Sequence, residues 1–149
     1  PGEPLRPLAR IAFGGEASRL LLAFKLVLKD ACPVGTLIFD EVDAGISGKA
    51  ALVVSQKLAR LAREQQVLCI SHLPVIAAIA DQQLWIEKQM RRQDTRIQIT
   101  TLTQEQRRER LAQMGAGQIT ESSLEGAREI LTHAQVFKQE LEPLLAQAS

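Results

Sequence analysis

Aromatic residues are scarce in this chain: its 149 residues include no tyrosine, one tryptophan and four phenylalanines. Base stacking on interleaved aromatic side chains therefore has no support as a mode of nucleic-acid binding. Cysteine is equally sparse, and Cys32 and Cys69 lie far apart in apolar contexts. Two reduced thiols of a cytosolic protein are expected, not a disulfide framework or a metal site. No apolar run reaches the length of a bilayer, so no membrane partner is expected. The opening PGEPLRPLAR has neither a basic-then-apolar secretory profile nor an initiator methionine, which points to a piece of a longer protein. A formal net charge of +1 excludes no class of partner.

What is present is an apolar fraction of 46%, enough to build the core of one ordinary domain. EASRLLLAFKLVLKD follows a Gly-Gly turn and is too long and too rich in Leu, Ala and Lys for a strand, so it reads as a mostly buried helix. TLIFD is a short continuous apolar run, the pattern of a strand covered on both faces. A second helix is expected from about Gly48 to Arg63, with Val54, Leu58 and Leu61 on one stripe, and VLCIS repeats the buried-strand pattern. Strand, helix and strand make a right-handed βαβ unit of a parallel sheet, whose ligand sites lie at the carboxyl ends of the strands. Further on, Pro74 opens a short helix, and QLWIEKQ and TRIQITTL form a hairpin around RRQD that adds an antiparallel edge to the sheet. Thr103, with Gln106 three residues later, caps the next helix, which GAGQIT ends. Another helix starts at Thr120 or Glu121, and a terminal one spans roughly Val136 to Gln147, bent or ended at Pro143.

The chemistry centres on TLIFDEVDAGISGKAA. Gly48-Lys49 suggests a phosphate loop, but that motif requires a glycine five positions earlier and a hydroxyl residue after the lysine. Asp43 and Ala50 occupy those positions, so Gly48-Lys49 is a helix start. Asp40-Glu41 is more informative, because two carboxylates at the rim of a buried strand are costly unless a cation is near. In P-loop ATPases such a pair divides two tasks: the Asp holds Mg2+ through water, and the next carboxylate orients and deprotonates the attacking water. An acidic turn after a core strand is the competing explanation. Ser71-His72 ends the second strand at the same sheet edge, where an imidazole could donate to a γ-phosphate oxygen. Gly14-Gly15 leads into a long helix whose free amides and dipole favour an anion.

GGE-x-x-R, the apolar strand ending in Asp-Glu, Asp-x-Gly-Ile-Ser and strand-Ser-His occur here in the order of the carboxyl-terminal half of an ABC-type ATPase head. Within that class, LIFDEVDAGISGKAA, ISHLPVIAAIAD and GAGQITESSLEGAREIL resemble the SMC-like ATPases of bacterial double-strand-break repair over nearly the whole chain. Transporters of the class more often carry Asp-Glu-Pro and a Leu-Asp ending.

The resemblance implies an α/β fold of the P-loop NTPase type: one carboxyl-terminal lobe of a split head, with a mostly parallel sheet, an antiparallel edge hairpin and flanking helices. It implies ATP and Mg2+ as cofactors, an amino-terminal P-loop lobe of the same protein and a second head as partners, and DNA contact through the full-length protein. A bacterial cytoplasmic, nucleoid-associated location follows from the same likeness. Asp40 would serve Mg2+ through water, Glu41 would be the general base, and His72 would contact the γ-phosphate. Gly14, Gly15, Glu16 and Arg19 would belong to the signature motif, the glycines approaching the nucleotide of the partner head and Arg19 coupling that contact to the helix. Asp43 to Ser47, including Gly45, would form the D-loop between heads. Phe13 stands where the family usually has a serine that meets the γ-phosphate, and its side chain cannot make that hydrogen bond.

Two other readings stay open on the residues alone. One is a non-catalytic dimerisation or docking module of the same fold, which Phe13 favours. The other, a helicase of the Asp-Glu-box type, lacks its P-loop and arginine-bearing second lobe. The clusters Arg91, Arg92, Arg96 and Arg107, Arg108, Arg110 read as solvated faces, the second diluted by Glu105 and Glu109. The apolar face of LLLAFKLVL is expected to be open to solvent and prone to aggregation when this lobe is alone.

Overall fold

A helix too short of partners to be fully buried leads the described chain. The computed structural model describes residues 15–28, 34–91 and 94–146. Helix α1 covers Gly15–Val27, strand β1 Thr36–Phe39, helix α2 Gly48–Leu61 and strand β2 Gln66–Cys69. β1 and β2 pair in parallel, Thr36 opposite Gln66 through Phe39 opposite Cys69, as the βαβ reading anticipates. The chain divides into two compact units, Pro1–Ile76 and Ala77–Ser149.

The core of the first unit forms from Leu22, Leu37, Phe39, Val42, Leu58, Leu61 and Ile76, with Val54, Val67 and Cys69 packed against it. Complete burial of a side chain such as Phe39 contributes about 1.5–3 kcal/mol. The predicted α2 stripe is thus the face that packs. Two other expectations need correction. α1 is not mostly buried, because it packs through Leu22 while Leu21, Phe24 and Val27 on its other side remain exposed. The parallel strands are covered on one face only: Leu37 and Phe39 point into the core, whereas Ile38 and Leu68 stay open. Strand periodicity forces this alternation, and no second layer lies over the open face among the described residues.

The second unit contains helix α3 (Pro74–Ile79) in part, strands β3 (Leu84–Arg91) and β4 (Asp94–Thr101), and helices α4 (Gln104–Ala116) and α5 (Glu121–Ala146). β3 and β4 pair antiparallel from Leu84 opposite Thr101 to Arg91 opposite Asp94, so the strands absorb both ends of the predicted RRQD turn. The hairpin forms a two-stranded sheet of its own, where the sequence suggested an antiparallel edge on the parallel one. α4 begins as predicted: the Gln106 amide donates to Thr103 Oγ1 at 3.3 Å and the Thr103 amide to Gln106 Oε1 at 2.9 Å, a reciprocal capping box. It ends on Gly117, whose φ of 74° is the left-handed closure that glycine adopts without strain. α5 is one helix where two were expected, and it runs through Pro143, where a bend or an end was expected. A proline this close to a helix end sacrifices little of the hydrogen-bond ladder.

Arg107 departs most from its sequence reading. Its guanidinium is buried and donates to the carbonyls of Ala78 (3.3 Å), Ala80 (2.8 Å) and Asp81 (3.4 Å) and to Gln83 Oε1 (3.1 Å). It closes the carboxyl end of α3, where carbonyls lack helical partners. Burial lowers its pKa from the ordinary value, with Asp81 opposing that shift. Arg110 lies 4.4 Å above the Trp85 ring and 3.6 Å from the Glu87 carboxylate. The predicted solvated arginine face is therefore partly a structural clamp. Among the described residues no helix is long and apolar enough to cross a membrane.

Candidate functional site

The parallel register decides which polar groups meet. Phe39 and Cys69 are the last paired residues of β1 and β2, and the Ile70 amide extends the ladder to Phe39 O at 2.9 Å. Asp40-Glu41 and Ser71-His72 consequently leave the sheet at one edge. Asp40 and Glu41 are exposed, and their carboxylates make no hydrogen bond or ion pair among the described residues. Hard oxygen donors left free in this way suit Mg2+, which takes one or two carboxylates and keeps several waters. Glu41 has a φ of 52°, unusual for a residue with a side chain, and starts a pair of tight turns: Ala44 N to Glu41 O at 2.9 Å and Ile46 N to Asp43 O at 3.2 Å.

Asp43 turns inward, and its side chain is 1% exposed. Its Oδ2 accepts from the Ser71 hydroxyl, from the His72 amide at 2.8 Å and from the Leu73 amide at 3.2 Å. His72 Nδ1 stands 3.1 Å from the same oxygen, while the imidazole is 73% exposed. Oδ1 is buried without a hydrogen-bond partner among the described residues. Burial pushes the Asp43 pKa up, but the Ser71 hydroxyl, the His72 amide and the imidazole together hold it below the ordinary value. One carboxylate thus joins the loop after β1 to the end of β2. Cys69, half-buried and free, has its thiol pushed up to about 12 by burial and by Asp43 and Asp40, so it stays protonated.

The first turn of α1 is built against the same loop. The Ser18 hydroxyl donates to Asp40 O at 2.6 Å, and Arg19 Nη1 donates to Val42 O at 3.2 Å and Ala44 O at 2.7 Å. Gly15 is required by close approach: a Cβ there would lie 2.4 Å from Glu41 O and 2.7 Å from the Ala44 Cβ. Gly15 and Arg19 therefore touch the carboxylate loop of their own chain. Glu16 is exposed in the first turn of α1, Gly45 is exposed with a φ of 72°, and Ser47 is exposed at the start of α2 without a side-chain cap bond. Gly14, Phe13 and Cys32 lie outside the described residues. Ser18 had no assigned role in the sequence reading, and Ser71 appeared there only as the neighbour of His72. A hydroxyl two residues after GGE is the signal that could have pointed to Ser18.

These elements define a fold shared with a solved structure from work on ATP-driven dimerisation and DNA-stimulated activation of SMC ATPases, at a TM-score of 0.53 and 21% identity over 79% of this chain and 70% of that one. The fold is that of an SMC-type ATPase head. No protein-family profile matches the chain. At the level of sequence, it is similar to the DNA repair protein RecN: 46% identical to that of Vibrio cholerae over 90% of the chain, 47% to that of Streptomyces coelicolor over 90%, and 38% to that of Bacillus subtilis over 92%. The matched stretch is 24% of each of these three relatives, so the chain spans about a quarter of their length. It is RecN-like over nine-tenths of its own length and corresponds to a partial RecN region.

Proposed function

We propose that this chain is the carboxyl-terminal lobe of an ATP-hydrolysing, SMC-like head that works in the recombinational repair of DNA double-strand breaks. The observation that carries this reading is the edge where Asp40, Glu41 and His72 leave adjacent parallel strands. Asp40 would hold Mg2+ through water; the ion, when bound, neutralises charge on the phosphate oxygens. Glu41, exposed and without a side-chain hydrogen bond or ion pair among the described residues, would accept a proton from the attacking water. His72 presents its imidazole to the γ-phosphate. Gly14 and Gly15, with Glu16 beside them, would approach the nucleotide of a second head, Arg19, bonded to Val42 O and Ala44 O, would couple that contact to the helix, and Gly45 and Ser47 would lie on the loop between heads. The exposed apolar side chains Ile38, Leu68 and Ile70 would be covered by the P-loop lobe of the same protein, which supplies the phosphate cradle absent from this stretch. DNA is engaged by the full-length protein, in which head closure and release act as a two-state switch.

The test is magnesium-dependent ATP turnover by the full-length protein carrying this chain. Glu41→Gln is expected to lower kcat by about a hundredfold or more. Turnover equal to wild type in that variant would overturn the assignment. Phe13 supports one second reading, a catalytically weak dimerisation or docking module; nucleotide-dependent dimerisation with no hydrolysis in the wild type would favour it.

A further inference from the structure

We propose that Asp43 is a positioning residue for His72, acting through Nδ1 to decide which imidazole nitrogen meets the nucleotide. The inference rests on the ATPase reading above and deepens it at one residue. Asp43 Oδ2 lies 3.1 Å from His72 Nδ1, and a carboxylate facing an unprotonated ring nitrogen at that distance would set two lone pairs against each other. That contact favours the tautomer with its proton on Nδ1, in a ring that is 73% exposed, and leaves Nε2 as the nitrogen not facing Asp43. The carboxylate is itself fixed. The Ser71 hydroxyl and the His72 and Leu73 amides all donate to the oxygen that faces the ring, and 99% of the Asp43 side chain is withdrawn from solvent.

The Leu73 amide also donates to the Ser71 hydroxyl at 3.1 Å, which in turn donates its O–H to Asp43 Oδ2. An exposed imidazole ordinarily samples several rotamers and both tautomers. Here one buried anion restricts both choices before substrate arrives, which is the preorganisation that makes a charge-stabilising contact effective. To donate to a phosphate oxygen the ring would need a second proton, taken up on Nε2 from solvent; in that imidazolium Nδ1–H would face Asp43 and Nε2–H the phosphate.

The experiment is a double-mutant cycle on ATP turnover in the full-length protein, with Asp43→Asn and His72→Gln alone and together. Asp43→Asn is expected to lower kcat about tenfold or more with a smaller change in KM. Added to His72→Gln, it is expected to lower kcat no further, because the group through which it acts is gone. Thermal unfolding of the same four proteins separates the roles: a purely structural Asp43 would lower kcat by the same factor in both backgrounds, and that result overturns the proposal. Histidine-selective 15N NMR of the wild type, with His72 assigned through His72→Gln, tests it without requiring Asp43→Asn to fold. A neutral His72 with its proton on Nδ1 supports the proposal, and a predominant Nε2–H tautomer overturns it. Failure of the ATPase reading itself has a different signature, wild-type turnover in Glu41→Gln.

Discussion

Among the described residues each of the two units buries one ionised side chain, and the two solve opposite problems. Asp43 is an anion surrounded by donors, the Ser71 hydroxyl and two backbone amides. Arg107 is a cation surrounded by acceptors, three carbonyls and the Gln83 side-chain oxygen. Both follow the rule that a buried charge is hydrogen-bonded, Asp43 through Oδ2 alone. They differ in where the network ends. Around Arg107 it ends on backbone and one buried glutamine, so nothing solvent-facing is oriented and the consequence is mechanical. Around Asp43 it reaches an imidazole that is 73% exposed, so under the proposed role the buried ion would orient a solvent-facing group.

The largest effect that tests this contrast is at Arg107. Arg107→Met is expected to destabilise the protein by about 3 kcal/mol, since it strands several buried carbonyls at once, and to leave ATP turnover per folded molecule unchanged. Denaturant unfolding paired with an activity assay measures both. A loss of kcat in the folded fraction would erase the distinction between the two units.

A smaller effect is expected where α1 meets the carboxylate loop. Gly15→Ala introduces a methyl group 2.4 Å from the Glu41 carbonyl, so backbone must move, at a cost of about 1–3 kcal/mol. Because the shifted atoms carry Glu41, turnover should fall together with the melting temperature, unlike the Arg107 variant. Unaltered turnover in a destabilised Gly15→Ala protein would mean that the Gly15 contact supports the loop without setting the glutamate.

The smallest effect is expected on the surface of α5. Arg128 forks onto Glu125, with Nη2 to Oε1 at 2.7 Å and Nε to Oε2 at 3.1 Å, and this hydrogen bonding lowers the Glu125 pKa. The pair is exposed, so water and salt offset the attraction. Glu125→Gln should leave the melting temperature within error at physiological salt. A clear drop would show that exposed pairs here behave like the buried ions.

Local patterns made much of the fold legible before any coordinates. Apolar runs bounded by turn residues located β1 and β2, and the Thr103–Gln106 spacing located the start of α4, because each depends on neighbours in the chain. The Asp40-Glu41 pair and His72 were legible for the same reason, as polar residues ending apolar strands. Burial was much less legible. Nothing adjacent to Asp43 distinguishes it from the exposed Asp40, and nothing adjacent to Arg107 distinguishes it from Arg110, which stacks on Trp85 instead. Their partners lie 24 to 30 residues away along the chain.

The sequence by itself thus determined the element types, the strand ends that carry Asp40, Glu41 and His72, and the absence of a phosphate loop from TLIFDEVDAGISGKAA. Only the tertiary structure decided that Asp43 faces inward to His72, that Ser18 and Arg19 hold the carboxylate loop, and that Arg107 is a clamp. The physical reason is range. Secondary structure and strand termini follow from residues a few positions apart, whereas the protonation and orientation of a side chain follow from whichever distant groups folding brings within about 3 Å of it.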